Sequence, residues 1–121
     1  MLQSTLSKIE SIASDELIKS VDINEFRKLF SSYKKNMWIY PGYIINKLKL
    51  EPKIVYEFLL SLERENIIKG YYDLYCGHCQ KSMGIVETFR DIPETFVCDY
   101  CDEELVGIEN AIIIFKVICD G

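Results

Sequence analysis

Histidine is nearly missing from this 121-residue sequence: His78 stands alone. One imidazole and no glycine-rich phosphate loop leave no nucleophile–base constellation, so enzymatic activity is not expected. No apolar run approaches the roughly 18 residues that a membrane-spanning helix needs. The start, Met1-Leu2-Gln3-Ser4, lacks a basic stretch followed by an apolar block, so no secretory signal is read there. A cytoplasmic chain without a membrane partner is the expectation. No internal repeat or low-complexity tract is visible.

The chain is not short of apolar residues, at 49%, which is enough to build a core. It also carries five cysteines. In a reducing compartment these argue for metal binding or free thiols and against a disulfide framework. Four of them form two CxxC pairs, Cys76-Gly77-His78-Cys79 and Cys98-Asp99-Tyr100-Cys101, with eighteen residues between. A tetrahedral zinc ion takes two soft ligands from each such turn, so Cys76, Cys79, Cys98 and Cys101 read as the ligands of one structural Zn2+. Four thiolates close the coordination shell and leave no position for water or substrate. Gly77 is expected to ease the first turn. A redox CxxC wants one pair beside a βαβ unit, not two pairs; an iron or iron–sulfur site would use the same thiolates. His78 is read as an exposed residue of the first knuckle, and Cys119 as a bystander thiol. The Asp102-Glu103-Glu104 cluster reads as a solvated turn.

Charge is unevenly spread. Residues 1–70 carry eleven Lys/Arg against nine Asp/Glu, whereas residues 71–121 carry three against ten, within a net charge of −5. An acidic half repels phosphate, so any nucleic-acid contact is expected from the first half.

Periodicity sketches the elements. Leu2, Leu6, Ile9, Ala13, Leu17 and Ile18 predict an amphipathic packing or dimerisation helix over 2–20, with a break at Ser14-Asp15. Asp22 predicts an N-cap, with Glu25 at N3 and a Val21–Phe26 staple. The stripe Phe26, Leu29, Phe30, Tyr33 then predicts a helix to about Lys35. Trp38-Ile39-Tyr40 is a short strand. Pro41 and Pro52 each fit a first helical position, opening helices with inward faces Ile44, Ile45, Leu48 and Val55, Phe58, Leu59, Leu62. Asn66 fits a helix end. Ile67-Ile68 begins a strand, with a turn or bulge at Lys69-Gly70. Beyond the first knuckle, strands are predicted at 85–89, at Phe96-Val97 and at 112–118.

The pattern Trp38-x-Tyr40-Pro41-x-x-Ile44-x-x-x-Leu48-x-Leu50, with Leu59-x-x-Leu62 and the Ile67-Ile68 strand, resembles the winged helix-turn-helix superfamily over residues 22–75. The usual wing is short or missing, because the strand from Ile67 runs almost at once into Cys76. A winged helix followed by a zinc ribbon is similar in layout to the general transcription factor E family, here without a long linker. The expected fold is therefore α+β: an N-terminal helix and winged helix-turn-helix module over 1–70, then a three-stranded zinc ribbon over 71–121. In that family the winged helix docks on RNA polymerase and neighbouring DNA while the ribbon supports the contact.

That resemblance implies a non-enzymatic zinc-binding adaptor or regulator of transcription or nucleic-acid machinery. Backbone contacts to duplex DNA are expected from Lys34, Lys35, Lys47, Lys49 and Lys53. Against DNA reading, the outward face of the third helix offers Tyr56 and Leu60, residue types that dock on protein. The alternative is thus a purely protein-binding accessory subunit of a multi-component prokaryotic complex, including a homodimeric form. Its docking would use Tyr56 and Leu60, the 2–20 helix, or the 112–118 strand as an exposed edge.

Overall fold

A computed structural model describes residues 3–119, which form an α+β fold with five α-helices and antiparallel strands. The chain divides into two compact units, Met1–Lys69 with Phe115–Gly121 and Gly70–Ile114. In chain order the second unit is an insertion within the first. Among the described residues no helix is long and apolar enough to cross a membrane.

The first unit is built by local stop and start signals. Helices α1 (Gln3–Ile12) and α2 (Asp15–Ser20) are separated where Ser14 Oγ accepts the Leu17 N–H at 3.2 Å and starts a new helix. The Asp22 carboxylate caps α3 (Ile23–Ser31), accepting from the N–H groups of Asn24 at 2.9 Å and Glu25 at 3.4 Å. That helix stops at Ser31, short of Lys35. Ser32 Oγ donates to the Leu29 carbonyl at 2.5 Å, and this side-chain bond competes with continued helix.

Phe26, Phe30 and Phe58 are buried, with ring centroids 4.7 to 5.7 Å apart, and Tyr33 meets the edge of Phe30 at 5.8 Å. Burial, with Tyr43 nearby, pushes the Tyr33 phenol up to about 12. Ile9, Leu17, Ile44, Leu59 and Leu62 complete this core at 1% exposure or less.

Pro41 and Pro52 open α4 (Pro41–Leu48) and α5 (Pro52–Arg64) as expected. Both helices end through a left-handed residue. Lys49 has φ 56°, and the Leu50 N–H reaches back to the Ile45 carbonyl at 3.3 Å. Asn66 has φ 59°, and the N–H of Ile67 reaches the Leu62 carbonyl at 3.1 Å.

Strand β1 (Trp38–Ile39) pairs antiparallel with the end of β6 (Ala111–Val117), in the register Trp38↔Lys116 and Ile39↔Phe115. On the other side, the Ile67 carbonyl accepts from the N–H groups of Ile118 and Cys119. The 112–118 segment is therefore not an exposed edge at this end. Strand β6 lies between β1 and the strand over Ile68–Cys76 in a four-stranded sheet, and Phe115 and Val117 at its end are fully buried in the first unit. Two large apolar side chains on alternate positions gain more by entering that core than by covering a small metal-binding unit.

The second unit holds two hairpins. Strand β2 (Ile68–Cys76) runs unbroken past Lys69-Gly70, so the expected turn there is absent. It pairs with β3 (Lys81–Val86), and the irregularity falls between Asp73 and Tyr75. Asp73, buried at 7% exposure, accepts from Ser82 Oγ beside that bulge. Phe89, expected to end a strand over 85–89, instead opens a 3-10 turn, Phe89–Asp91. Strand β4 (Thr95–Val97) pairs with β5 (Glu104–Val106), so Glu104 starts a strand and is not part of a solvated turn.

The first unit's stability is expected to hang on the aromatic core. Phe30→Ala should cost about 3–5 kcal/mol, measured by urea denaturation followed through helical circular dichroism. Loss below about 1 kcal/mol would show that the cluster is not the core.

Candidate metal centre

Each CxxC folds as the same five-residue turn. At the end of β2, the Cys76 carbonyl accepts the Gln80 N–H at 2.7 Å and the Cys76 sulfur accepts the Cys79 N–H at 3.4 Å. After β4, the Cys98 carbonyl accepts the Asp102 N–H at 2.9 Å and its sulfur accepts the Tyr100 N–H at 3.4 Å. Gln80 and Asp102 then occupy matching left-handed conformations, φ 59° and 61°. The demanding position is thus the residue after each pair, not Gly77, which has neither a positive φ nor a close neighbour. Asp tolerates this conformation locally; Gln is a poorer fit, at about 1–2 kcal/mol.

The two turns bring together all four cysteines expected as ligands. The sulfurs of Cys76, Cys79, Cys98 and Cys101 lie within 4.8 Å of one another, with Cys76 and Cys101 at 3.9 Å. Zinc–sulfur bonds of about 2.3 Å at tetrahedral angles put sulfurs about 3.8 Å apart, so the set fits a metal ion. A disulfide needs about 2.05 Å, and the thiols are free. Cys76 and Cys98 are buried with Leu105, and Met83 and Phe96 pack against them. Two further contacts join the turns: Asp99 N–H donates to Met83 Sδ at 3.4 Å, and Lys81 Nζ lies 4.6 Å from the Tyr100 ring centre.

The thiols control one another's protonation. Burial pushes the Cys98 thiol up, but the N–H groups of Tyr100 and Cys101, with the Cys101 and Cys76 thiols, outweigh it and bring Cys98 down to about 7. The Cys79 thiol is pushed up to about 12 by its bond to Cys101, by burial and by Cys98. Cys101 is raised as well: the Glu103 N–H and Cys79 favour its thiolate, but burial, Cys98 and Cys76 together prevail. One negative charge is easy to place here and further ones are not, which is the environment a cation relieves.

His78 is exposed, with its ring within 4.8 Å of Cys101 and a Glu103 carboxylate oxygen. Cys119 lies outside the cluster. The lysines expected at nucleic acid are all exposed on the first unit. Lys47 is in the last turn of α4, Lys49 is its left-handed cap and Lys53 is the second residue of α5; Lys34 and Lys35 follow α3. Tyr56 is half-buried, whereas Leu60, 40% exposed, lines a groove of about 290 Å³ with Ile12, Ser14, Glu57, Ser61 and Arg64. Sequence reasoning missed Gln80, Asp102, Leu105 and the Asp73–Ser82 pair. Only the matched position after each CxxC offered a signal for them.

Comparison of the chain with protein-family models, with curated proteins and with solved structures returns no significant match.

Metal uptake should release protons from Cys79 and Cys101, whose thiols are held protonated at neutral pH, and little from Cys98 above pH 7. Affinity should fall as pH drops, and more steeply below about 7, where Cys98 also protonates. Calorimetry in buffers of different ionisation enthalpy, repeated across pH, reads both; a buffer-independent enthalpy would contradict the protonated cluster.

Proposed function

We propose that this chain is a non-enzymatic, zinc-binding adaptor of nucleic-acid machinery, working in transcription. Its second unit is held by one structural Zn2+ on Cys76, Cys79, Cys98 and Cys101, and its first unit touches duplex backbone. The observation that carries the zinc reading is that four sulfurs converge within 4.8 Å of one another, two of them in a small buried cluster with Leu105. A unit with so little apolar burial needs a metal to fold. Four thiolates suit zinc and complete its shell, which is why the role is structural and not catalytic. Reduced thiols of this kind belong in the cytoplasm.

The nucleic-acid part is supported by the α4–α5 corner. Two helices joined by Lys49-Leu50-Glu51 have the form of a helix-turn-helix, and β1 with the ends of β2 and β6 supplies the small sheet of a winged helix. Lys47, Lys49 and Lys53 crowd the corner and the N-terminus of α5, where phosphate is favoured. The second reading, a protein-binding accessory subunit, is favoured by Leu60, which stays exposed over its groove.

Elemental analysis should find one zinc per chain. Cys98→Ser should abolish tight binding and unfold the second unit; a folded variant with full zinc would defeat the site.

Duplex DNA should bind with an affinity that drops steeply with salt. Reversing Lys47, Lys49 and Lys53 to Glu together should remove both the binding and the salt dependence. No binding even at low salt would leave the protein-binding reading.

A further inference from the structure

The second unit leaves several apolar side chains outside. Phe89 is 59% exposed, Ile108 61% and Val106 45%. They are not scattered: with Ile92, Pro93 and Glu94 they line one groove of about 380 Å³. An apolar concavity of this kind on so small a unit marks a contact site.

The groove is preformed. Gly107 lies so close beneath it that a Cβ there would sit 1.7 Å from the Pro93 carbonyl oxygen. The Gly107 N–H donates to the Glu94 carbonyl at 2.8 Å, and Asn110 Nδ2 donates to the Val106 carbonyl at 2.8 Å. On the opposite wall, Thr88 Oγ1 bonds the Asp91 carboxylate at 2.9 Å, and Phe89 meets Tyr72 edge-on at 6.1 Å. Little ordering remains to be done when a ligand enters.

Its surroundings fix the sign of that ligand. Residues 85–109 include eight Asp/Glu and a single basic residue, Arg90. Glu87, Asp91, Glu94 and Glu109, all exposed, adjoin the lining residues in sequence. A phosphate backbone is repelled here. A second copy using the same patch would set acid against acid across a two-fold axis.

We propose that this groove docks a segment of a partner protein that carries bulky aliphatic anchors flanked by Lys or Arg. Apolar burial supplies the affinity, and the acidic rim selects the basic flanks and speeds the encounter. The site rests on the metal-held fold of its unit but is independent of any nucleic-acid contact by the first.

The test uses the zinc-loaded full chain, its metal content measured in every sample, and three fluorescent 14-residue peptides read by anisotropy. One is an amphipathic Leu/Lys peptide, the second replaces Lys by Glu, and the third replaces Leu by Ser. The Leu/Lys peptide should bind, the Leu/Glu peptide should not, and the Ser/Lys peptide should bind at least about tenfold more weakly. Phe89→Ser and Ile108→Ser, both at exposed positions, should each weaken the Leu/Lys peptide about tenfold with zinc retained. Glu94→Lys should weaken it further at low salt than at high salt. Zinc loss in one serine variant leaves the other serine variant and Glu94→Lys to decide. Failure of the Leu/Lys peptide to bind, equal binding by the Leu/Glu peptide, or undiminished binding by the zinc-retaining variants would overturn the proposal. So would sedimentation showing a dimer that Phe89→Ser dissociates, which would assign the groove to a second copy. A chain that holds no zinc refutes the metal reading instead, a result kept separate because metal content is measured directly.

Discussion

Four sulfur atoms within 4.8 Å of one another are the constraint on which the second unit depends. They are its candidate metal ligands, and two of them, Cys76 and Cys98, are fully buried. Without a cation, the cluster accommodates one thiolate readily, at Cys98, and holds Cys79 and Cys101 protonated. With a divalent cation, the same spacing becomes favourable and the two hairpins acquire a common anchor. The lesser features of the unit serve that convergence. The left-handed Gln80 and Asp102 turn the chain out of each knuckle, and the β4–β5 pair delivers Leu105 beneath the sulfurs.

The first unit works by the opposite economy. Its interior is aliphatic and aromatic, and its boundaries are set by single residues: Ser14 and Asp22 at helix starts, Lys49 and Asn66 at helix ends. These signals are local, so they are readable in order along the chain. The longest-range requirement is β6, whose Phe115 and Val117 arrive from beyond the inserted second unit to close the core beside β1. Folding this unit therefore means bringing together segments separated by the whole of the second unit, a loop-closure cost that a metal-ordered insertion reduces.

That contrast explains how much was legible in the residues. The helices were, because capping and a 3.6-residue period act within a few positions. The ligand set was, because two CxxC pairs leave few other uses for their thiols. The full destination of 112–118 was not: β6 pairs with β2, as a ribbon strand would, but also with β1, and its Phe115 and Val117 are buried in the first unit. Nor was β5, since Glu104-Leu105-Val106 is too short to show alternation and Leu105 is its one buried position. The expected turn at Lys69-Gly70 failed for a related reason. Glycine permits a turn, but ladder pairing on both sides of Gly70 keeps β2 extended.

Charge links the metal to recognition. Four thiolates around one divalent cation add two negative charges to a unit whose residues 85–109 already hold eight Asp/Glu against Arg90. Metal binding there would therefore deepen the unit's negative field. Such a surface repels phosphate, whereas Lys47, Lys49 and Lys53 are exposed at the α4–α5 corner of the first unit. The two proposed contacts ask different chemistry of the two units: a corner bearing Lys47, Lys49 and Lys53 for a polyanion, and an acidic, apolar groove for a basic segment.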